Sequence, residues 1–328
     1  MQRRHLLKLL PAAGLSAGLS ACSKKAAVNA QGKPIIRLGH FPNITHTQAL
    51  IARNLSRQGK GWFEERLGAE ITWYVYNAGP SAIEAIFAKA IDATYIGPSP
   101  TLNAFAKSKG TEPRILAGAA NGGTALIVRP EANITKPEDF RGKRIATPQL
   151  GNTQDIQIRS WLIGHGINVT LTGGDATVVP ISNADQLGLF LRGELDAVWT
   201  AEPFAARLEI EGKGTVFLED KETNVTMLVG RSGWLQEQPE LSQKLTAAHR
   251  ELTDWVIAHP QEARQLLIEE LTIQTTKRPS DAIVDRALAR TILTNEVSRP
   301  SLEKMVKEAQ AAGFLKDIPA LDPLLPAP

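Results

Sequence analysis

Short apolar runs rich in β-branched residues alternate with longer stretches of helical periodicity along most of this chain of 328 residues. No other feature limits its fold as strongly. Strands are predicted at Ile35–Phe41, Ile71–Tyr76, Ala93–Ile96, Ile115–Ala119, Ala125–Val128, Arg144–Ala146, Thr177–Ile181, Ala197–Trp199, Val216–Leu218 and Val225–Val229. Helices are predicted between them at Ala49–Gln58, Ala82–Lys89, Thr101–Ser108, Asp155–His165 and Asp185–Leu191. Such alternation implies an α/β protein with parallel sheets covered by helices on both faces. From Leu235 to Leu315 the pattern is almost entirely helical, punctuated by Pro239, Pro260, Pro279 and Pro300. Ser280-Asp281 and Arg299-Pro300-Ser301 read as helix starts and Gly313 as a helix end. His249 and Trp255 share helical spacing with Leu245, Leu252 and Val256 and read as core and rim residues. The Pro-rich tail Asp317–Pro328 is expected to lie extended on the surface.

Two βα-rich blocks followed by a helical ending imply two α/β lobes. Composition shifts near Gly123 and near Asn224 mark the expected crossings. The first lobe is then discontinuous, residues 34–121 plus 225–328, and the second comprises residues 122–224.

The N-terminus carries a different message. Residues 1–21 have a basic start (Arg3, Arg4, Lys8) and an apolar run from Leu6 to Leu19 that is too short and too rich in Gly and Ala to span a bilayer. Leu19-Ser20-Ala21-Cys22 resembles a lipobox, in which a lipid is attached to the cysteine thiol and the chain is cut just before it. Gln2-Arg3-Arg4-His5-Leu6-Leu7-Lys8 resembles a twin-arginine export signal. The reading is a signal peptide over 1–21, lipidation at Cys22 and a polar tether over 22–33. The chain has 37 Lys+Arg against 34 Asp+Glu, and the three basic residues of the leader account for the excess. The balanced remainder gives no reason to expect a nucleic-acid partner. With Cys22 as the one cysteine, no internal disulfide can form, and a core of this size needs none.

In open α/β sheets ligands collect beyond the carboxyl ends of strands, where Gly-, Ser- and Pro-rich loops lead into helices. Four loops fit: 39–46, 96–101, 118–124 and 147–155. In the last, the backbone N–H groups of Asn152, Thr153 and Gln154 open a helix and could hold an oxyanion without a charged side chain. Ser99 and Thr101, or Thr45 and His46, could act likewise, or such residues could simply cap their helices. His46 could donate a charge-assisted hydrogen bond or cap its helix, and His40 reads as structural. Glu202, before Pro203, could face a cleft. Arg159 is the nearest basic candidate and is expected to point to solvent. The sequence holds no HExxH, Walker A, GxSxG or strand-linked GxGxxG motif, and its histidines lack metal-ligand spacing. Neither an enzyme nor a metal or cofactor site is expected.

The segments Leu38-Gly39-His40-Phe41-Pro42-Asn43 with Thr45-His46, Gly79-Pro80-Ser81, Ile91-Asp92-Ala93, Ile96-Gly97-Pro98, Pro137 to Ala146, Gly193-Glu194-Leu195-Asp196-Ala197 and Glu202-Pro203-Phe204 occur in that order. Together they resemble the nitrate/sulfonate/taurine solute-binding family of ABC importers, over about Ile35 to Arg231. The resemblance implies a two-lobed type II periplasmic-binding fold with a helical C-terminal region, closing on its ligand by hinge motion. It further implies a monomer that delivers a small anionic or zwitterionic ligand to a permease and ATPase at the membrane, with an aliphatic sulfonate, taurine or nitrate as the leading ligand. The ligand would sit among Pro42, Asn43, His46, Pro98, Ser99, Gly123, Thr124, Gly151, Asn152, Thr153 and Glu202. The alternatives are a binder or enzyme of thiamine-pyrimidine precursors on the same fold, although the cysteine cluster of those enzymes is missing, and a ligand sensor.

Overall fold

The chain crosses twice between two sheets, by connections so short that they decide the strand directions. A computed structural model describes residues 27–326. In chain order the elements are β1 (Ile35–His40), α1 (Thr47–Arg57), α2 (Trp62–Leu67), β2 (Glu70–Val75), α3 (Gly79–Phe87), β3 (Ala93–Ile96), α4 (Pro98–Lys107) and β4 (Arg114–Gly122). After the first crossing come β5 (Thr124–Val128), β6 (Arg144–Thr147), α5 (Thr153–Gly164), β7 (Thr177–Pro180), α6 (Asn183–Leu191), β8 (Ala197–Ala201), α7 (Phe204–Ile210) and β9 (Thr215–Asp220). The second crossing leads to β10 (Asn224–Gly230), α8 (Ser232–Glu237), α9 (Pro239–Ala258), α10 (Pro260–Thr275), α11 (Asp281–Arg290), β11 (Thr291–Leu293) and α12 (Arg299–Ala311). Among these residues no helix is long and apolar enough to cross a membrane. The leader, Cys22 and the first part of the expected tether lie outside the described residues.

The six-stranded sheet runs β11-β4-β10-β3-β1-β2 and the five-stranded sheet runs β7-β6-β8-β5-β9. Both are mixed, which corrects the expectation of parallel sheets. Pairs built through a helical crossover are parallel, as in β1 with β2 and β3, and β6 with β7 and β8. β5 and β10 enter from the other sheet without a helix and run antiparallel to their neighbours. Only Gly123 separates β4 from β5. Gly122 and Gly123 both take φ of 66°, a left-handed turn that costs glycine little. The two crossing strands are tied together by Asn224, whose Nδ2 donates to Asn121 Oδ1.

Each sheet is buried on both faces. One face of the larger sheet packs Ile36, Leu38 and Tyr95 against α1, α9 and α10, through Leu245, Leu252 and Leu267. Its other face packs Ile96 and Met227 against α4 and α12, through Phe105, Leu302 and Met305. The smaller sheet has its own two clusters, around Phe140 and around Phe190. The helical last third therefore returns to the sheet on which the chain began. Ser280 and Ser298 cap α11 and α12 through their side chains, and Gly313 ends α12 with a positive φ.

Each run predicted as strand overlaps an observed one, but three details differ. Thr291-Ile292-Leu293 is a strand inside the stretch expected to be wholly helical, a short β-branched run that pairs with β4. The tail is not extended: Leu321 and Leu324 are buried, and Leu324 O accepts from Ile115 N–H at 2.9 Å. The described part of the expected tether forms a turn, in which Val28 bridges Pro34 and Asn29 Nδ2 donates to Glu70.

Among the described residues three histidines are buried, His40, His46 and His249, none with a carboxylate partner. His249 Nε2–H donates to Gly118 O at 2.7 Å and its Nδ1 accepts from Tyr95 Oη at 2.9 Å, joining α9 to β3 and β4. His40 is similarly enclosed between Phe41 O and Arg53. Burial pushes His249 down to about 4 and His40 to about 3. Between those values and 6.5 the unfolded chain binds a proton that the folded chain refuses, so stability falls as pH falls through that window. From pH 7 to pH 5, each such histidine costs about 2 kcal/mol. Denaturant unfolding of His249→Gln at the two pH values should show a loss smaller than wild type by about that amount. An unchanged pH dependence would refute the neutral buried imidazole.

Candidate functional site

Strand ends from both sheets converge on a small cavity of about 30 Å³. The larger sheet supplies Phe41, Asn43, Thr45 and His46 after β1, Asn77, Ala78 and Gly79 after β2, Gly97 and Pro100 after β3, and Val225 and Thr226 at the start of β10. The smaller sheet supplies Pro148, Asn152, Thr153 and Gln154 after β6, Asn183 after β7 and Ala201 at the end of β8. Four helices open on it: Gly79, Thr153 and Asn183 are the first residues of α3, α5 and α6, and Gly97 caps α4. No lining residue carries a carboxylate, ammonium or guanidinium group. The walls offer polarity without formal charge, and the positive ends of helix dipoles set its sign.

The start of α5 is held with most precision. Asn152 Oδ1 accepts from Asp155 N–H at 2.9 Å, leaving the N–H groups of Thr153 and Gln154 without an intrahelical acceptor. Behind them Asp155 accepts from Gly151 N–H at 2.9 Å, Thr147 Oγ1 at 3.0 Å and Arg159 Nε at 3.1 Å. Arg159 in turn donates to Thr170 O and Val178 O. Burial raises the Asp155 pKa despite these partners. Arg159 therefore does not point to solvent: it is 2% exposed and fixes the loop from behind.

On three residues that line this space, Asn43 Oδ1, Thr153 Oγ1 and Thr226 Oγ1 are buried and have no protein hydrogen-bond partner. A buried polar atom left unpaired costs about 1–3 kcal/mol, so these three are open to a polar group that enters the cavity. His46 joins them as a neutral ring. Its Nδ1 accepts from Phe41 N–H at 3.3 Å, which puts the proton on Nε2, and burial lowers its pKa well below the ordinary value. Of the two roles open to His46 from sequence, the charge-assisted bond gives way to a neutral donor. Nor does its side chain cap α1.

Of the residues expected around a ligand, Asn43, His46, Asn152 and Thr153 line the cavity. The others lie apart. Pro42 is half-buried, and Pro98 is buried in the first turn of α4. Ser99 Oγ donates to Gly151 O at 3.1 Å, a contact between loops of the two sheets. Gly123 is occupied by the crossing, where a Cβ would come within 2.5 Å of Thr45 Cγ2. Thr124 Oγ1 faces Trp199 Nε1 at 3.5 Å. Glu202 is fully buried against Arg290 at 2.8 Å, not open to a cleft. Asn77 and Asn183 were open to the same strand-to-helix reading applied after β2 and β7. Thr226 was not, because it opens an antiparallel strand. Among the described residues no group of three or more His, Cys, Asp or Glu side chains is placed to hold a metal ion.

Residues 29–272 match the family model described as the NMT1-like family. The taurine-binding periplasmic protein of Escherichia coli (strain K12) is 25% identical over 210 residues, covering 62% of this chain and 62% of that protein, so the match spans less than two-thirds of that relative. A putative aliphatic sulfonates-binding protein of Bacillus subtilis (strain 168) is 22% identical over 258 residues, 76% of this chain and 74% of that one. Among solved structures, the alkanesulfonate-binding protein SsuA from Xanthomonas axonopodis pv. citri bound to MOPS has a TM-score of 0.71 at 20% identity, over 92% of this chain and 99% of that chain. The periplasmic nitrate-binding protein NrtA from Synechocystis PCC 6803 has a TM-score of 0.69 at 16% identity, over 86% and 82%. The fold is that of the periplasmic binding proteins.

The Asp155–Arg159 pair yields a direct test. Removing one partner strands the other charge in the interior, which costs about 3–5 kcal/mol. Arg159→Ala should lower unfolding stability by that much in denaturant titration, and a loss below about 1 kcal/mol would contradict the buried pairing.

Proposed function

Because the chain belongs to the NMT1-like family, we propose that it captures a small oxyanion outside the cytoplasm and delivers it to an ABC importer. The observation that carries this reading is the uncharged polar cavity, with unpartnered hydroxyls on Thr153 and Thr226 and the free N–H groups that open α5. Oxyanions are held well by backbone N–H groups at helix N-termini and by hydroxyl donors. The Asn43 amide, turned half a revolution about its last bond, offers Nδ2 in the place of Oδ1. The aliphatic groups of Ala201, Val225 and Pro100 suit a short apolar substituent. Relatives named for taurine and for aliphatic sulfonates support the same class.

Size bears on the choice. The cavity holds roughly two waters by the usual measure of about 10–15 Å³ each. Nitrate or a short alkanesulfonate therefore demands less opening than a bulkier ligand. On this reading residues 34–121 with 225–328 form one lobe, residues 122–224 form the other, and the crossings at Gly123 and Asn224 are the hinge. Capture is reversible, without chemistry on the ligand. Export and lipidation at Cys22 complete the proposal and rest on the sequence of the leader.

Thermal-shift measurements on the purified protein with nitrate, methanesulfonate, ethanesulfonate and taurine test the reading. At least one should stabilise it, and Thr153→Ala and Thr226→Val should each weaken binding by about five- to tenfold, the worth of one hydrogen bond of about 1–1.5 kcal/mol. Failure of all four to shift the melting temperature would sink the oxyanion assignment.

A further inference from the structure

We propose that Asn77 and Asn183 form a clasp that holds the ligand cavity shut by joining the two sheets across its rim. This inference rests on the reading of the cavity as a ligand site. Asn77 lies between β2 and α3 on the larger sheet, and Asn183 opens α6 on the smaller one. Asn183 N–H donates to Asn77 Oδ1 at 3.1 Å, and Asn183 Nδ2 donates to Asn77 O at 3.3 Å. Asn77 Nδ2 donates onward to Pro148 O at 2.9 Å, in the loop that leads into α5. One amide side chain thereby bridges to two separate loops of the opposite sheet. Asn183 is itself anchored, since its Oδ1 accepts from Thr200 Oγ1 at 3.0 Å on β8.

Burial divides the roles. Asn183 is 4% exposed, whereas Asn77 sits at the exposed rim. Both also line the cavity. A ligand inside meets the same two residues that fasten the sheets, so a group that fits between them favours the fastened state, and one that forces them apart opposes it. Closure then contributes to selection as well as to retention. Two further contacts, Gln149 Nε2 to Ser81 Oγ at 3.0 Å and Ser99 Oγ to Gly151 O at 3.1 Å, lie along the same seam.

The Asn183 amide reports the clasp directly. As the first N–H of α6 it has no partner within its own helix, and its hydrogen bond goes to Asn77 Oδ1 across the seam. Residue-resolved hydrogen exchange should be compared in wild type and Asn77→Ala, with and without ethanesulfonate. Slow exchange at Asn183 in wild type in either condition, accelerated at least tenfold in Asn77→Ala, is expected. The Asp185 amide, bonded to Ser182 O on the same side of the cleft, should be unchanged. Thr153→Ala should leave Asn183 exchange slow, which separates the clasp from loss of a ligand contact. Ethanesulfonate dissociation should be at least fivefold faster from Asn77→Ala. Equal Asn183 exchange in wild type and Asn77→Ala, or fast exchange in wild type under both conditions, would overturn the clasp. If wild type binds no oxyanion while Asn183 exchange behaves as expected, the ligand assignment fails and the clasp stands.

Discussion

Arg290 is where the two sheets, the C-terminal helices and the rim of the cavity meet. Its guanidinium is 3% exposed and reaches Glu202 at 2.8 Å, Glu209 at 2.5 Å and Glu219 at 2.6 Å, all from the segment between the crossings. Its carbonyl accepts from Gly123 N–H at 2.8 Å, and Gly123 O accepts from Glu202 N–H at 2.9 Å. Glu202 O then accepts from Ile44 N–H, which starts the turn bearing Thr45 and His46. Burying a guanidinium is costly unless its donors are paired, and here three carboxylates share the task. The helical last third is thus more than a cover for the first sheet. It places a charge at the crossing that sets how β4, β5 and the β1 loop approach one another.

With charge concentrated at the crossing and in the Asp155–Arg159 pair, the cavity is left without any. An anion there would trade hydration for oriented neutral donors at the ends of short helices. A buried arginine would bind any anion strongly and distinguish among them less. Fixed N–H and hydroxyl directions favour an ion of matching geometry, because each group left unpaired is penalised. Gly97 shows how closely the walls approach: a Cβ there would lie 2.4 Å from Thr153 Oγ1, across the seam between the sheets.

Much of the architecture was legible because strand and helix periods are local. The strand runs and the helix starts at Ser280-Asp281 and Arg299-Pro300-Ser301 follow from short-range pattern. Strand direction was not, since β5 and β10 take theirs from partners distant in sequence. The site divides in the same way. Asn152 and Thr153 reach the cavity from a strand-to-helix loop that local pattern reveals, whereas Thr226 enters it from a strand whose position depends on the second crossing. The burial of Glu202 escapes local pattern because its partner lies 88 residues away. Arg159 could have been read correctly, since Asp155 stands four residues before it at the spacing of a helical ion pair.

On the proposed function, an oxyanion is held here by uncharged groups, with His46 neutral throughout. Calorimetric titration with ethanesulfonate between pH 5.5 and pH 8 tests it most directly, because the ligand keeps its charge over that range. The dissociation constant should change by less than about twofold. A histidine of ordinary pKa serving as the charge partner would tighten binding roughly thirtyfold from pH 8 to pH 5.5. That result would contradict it.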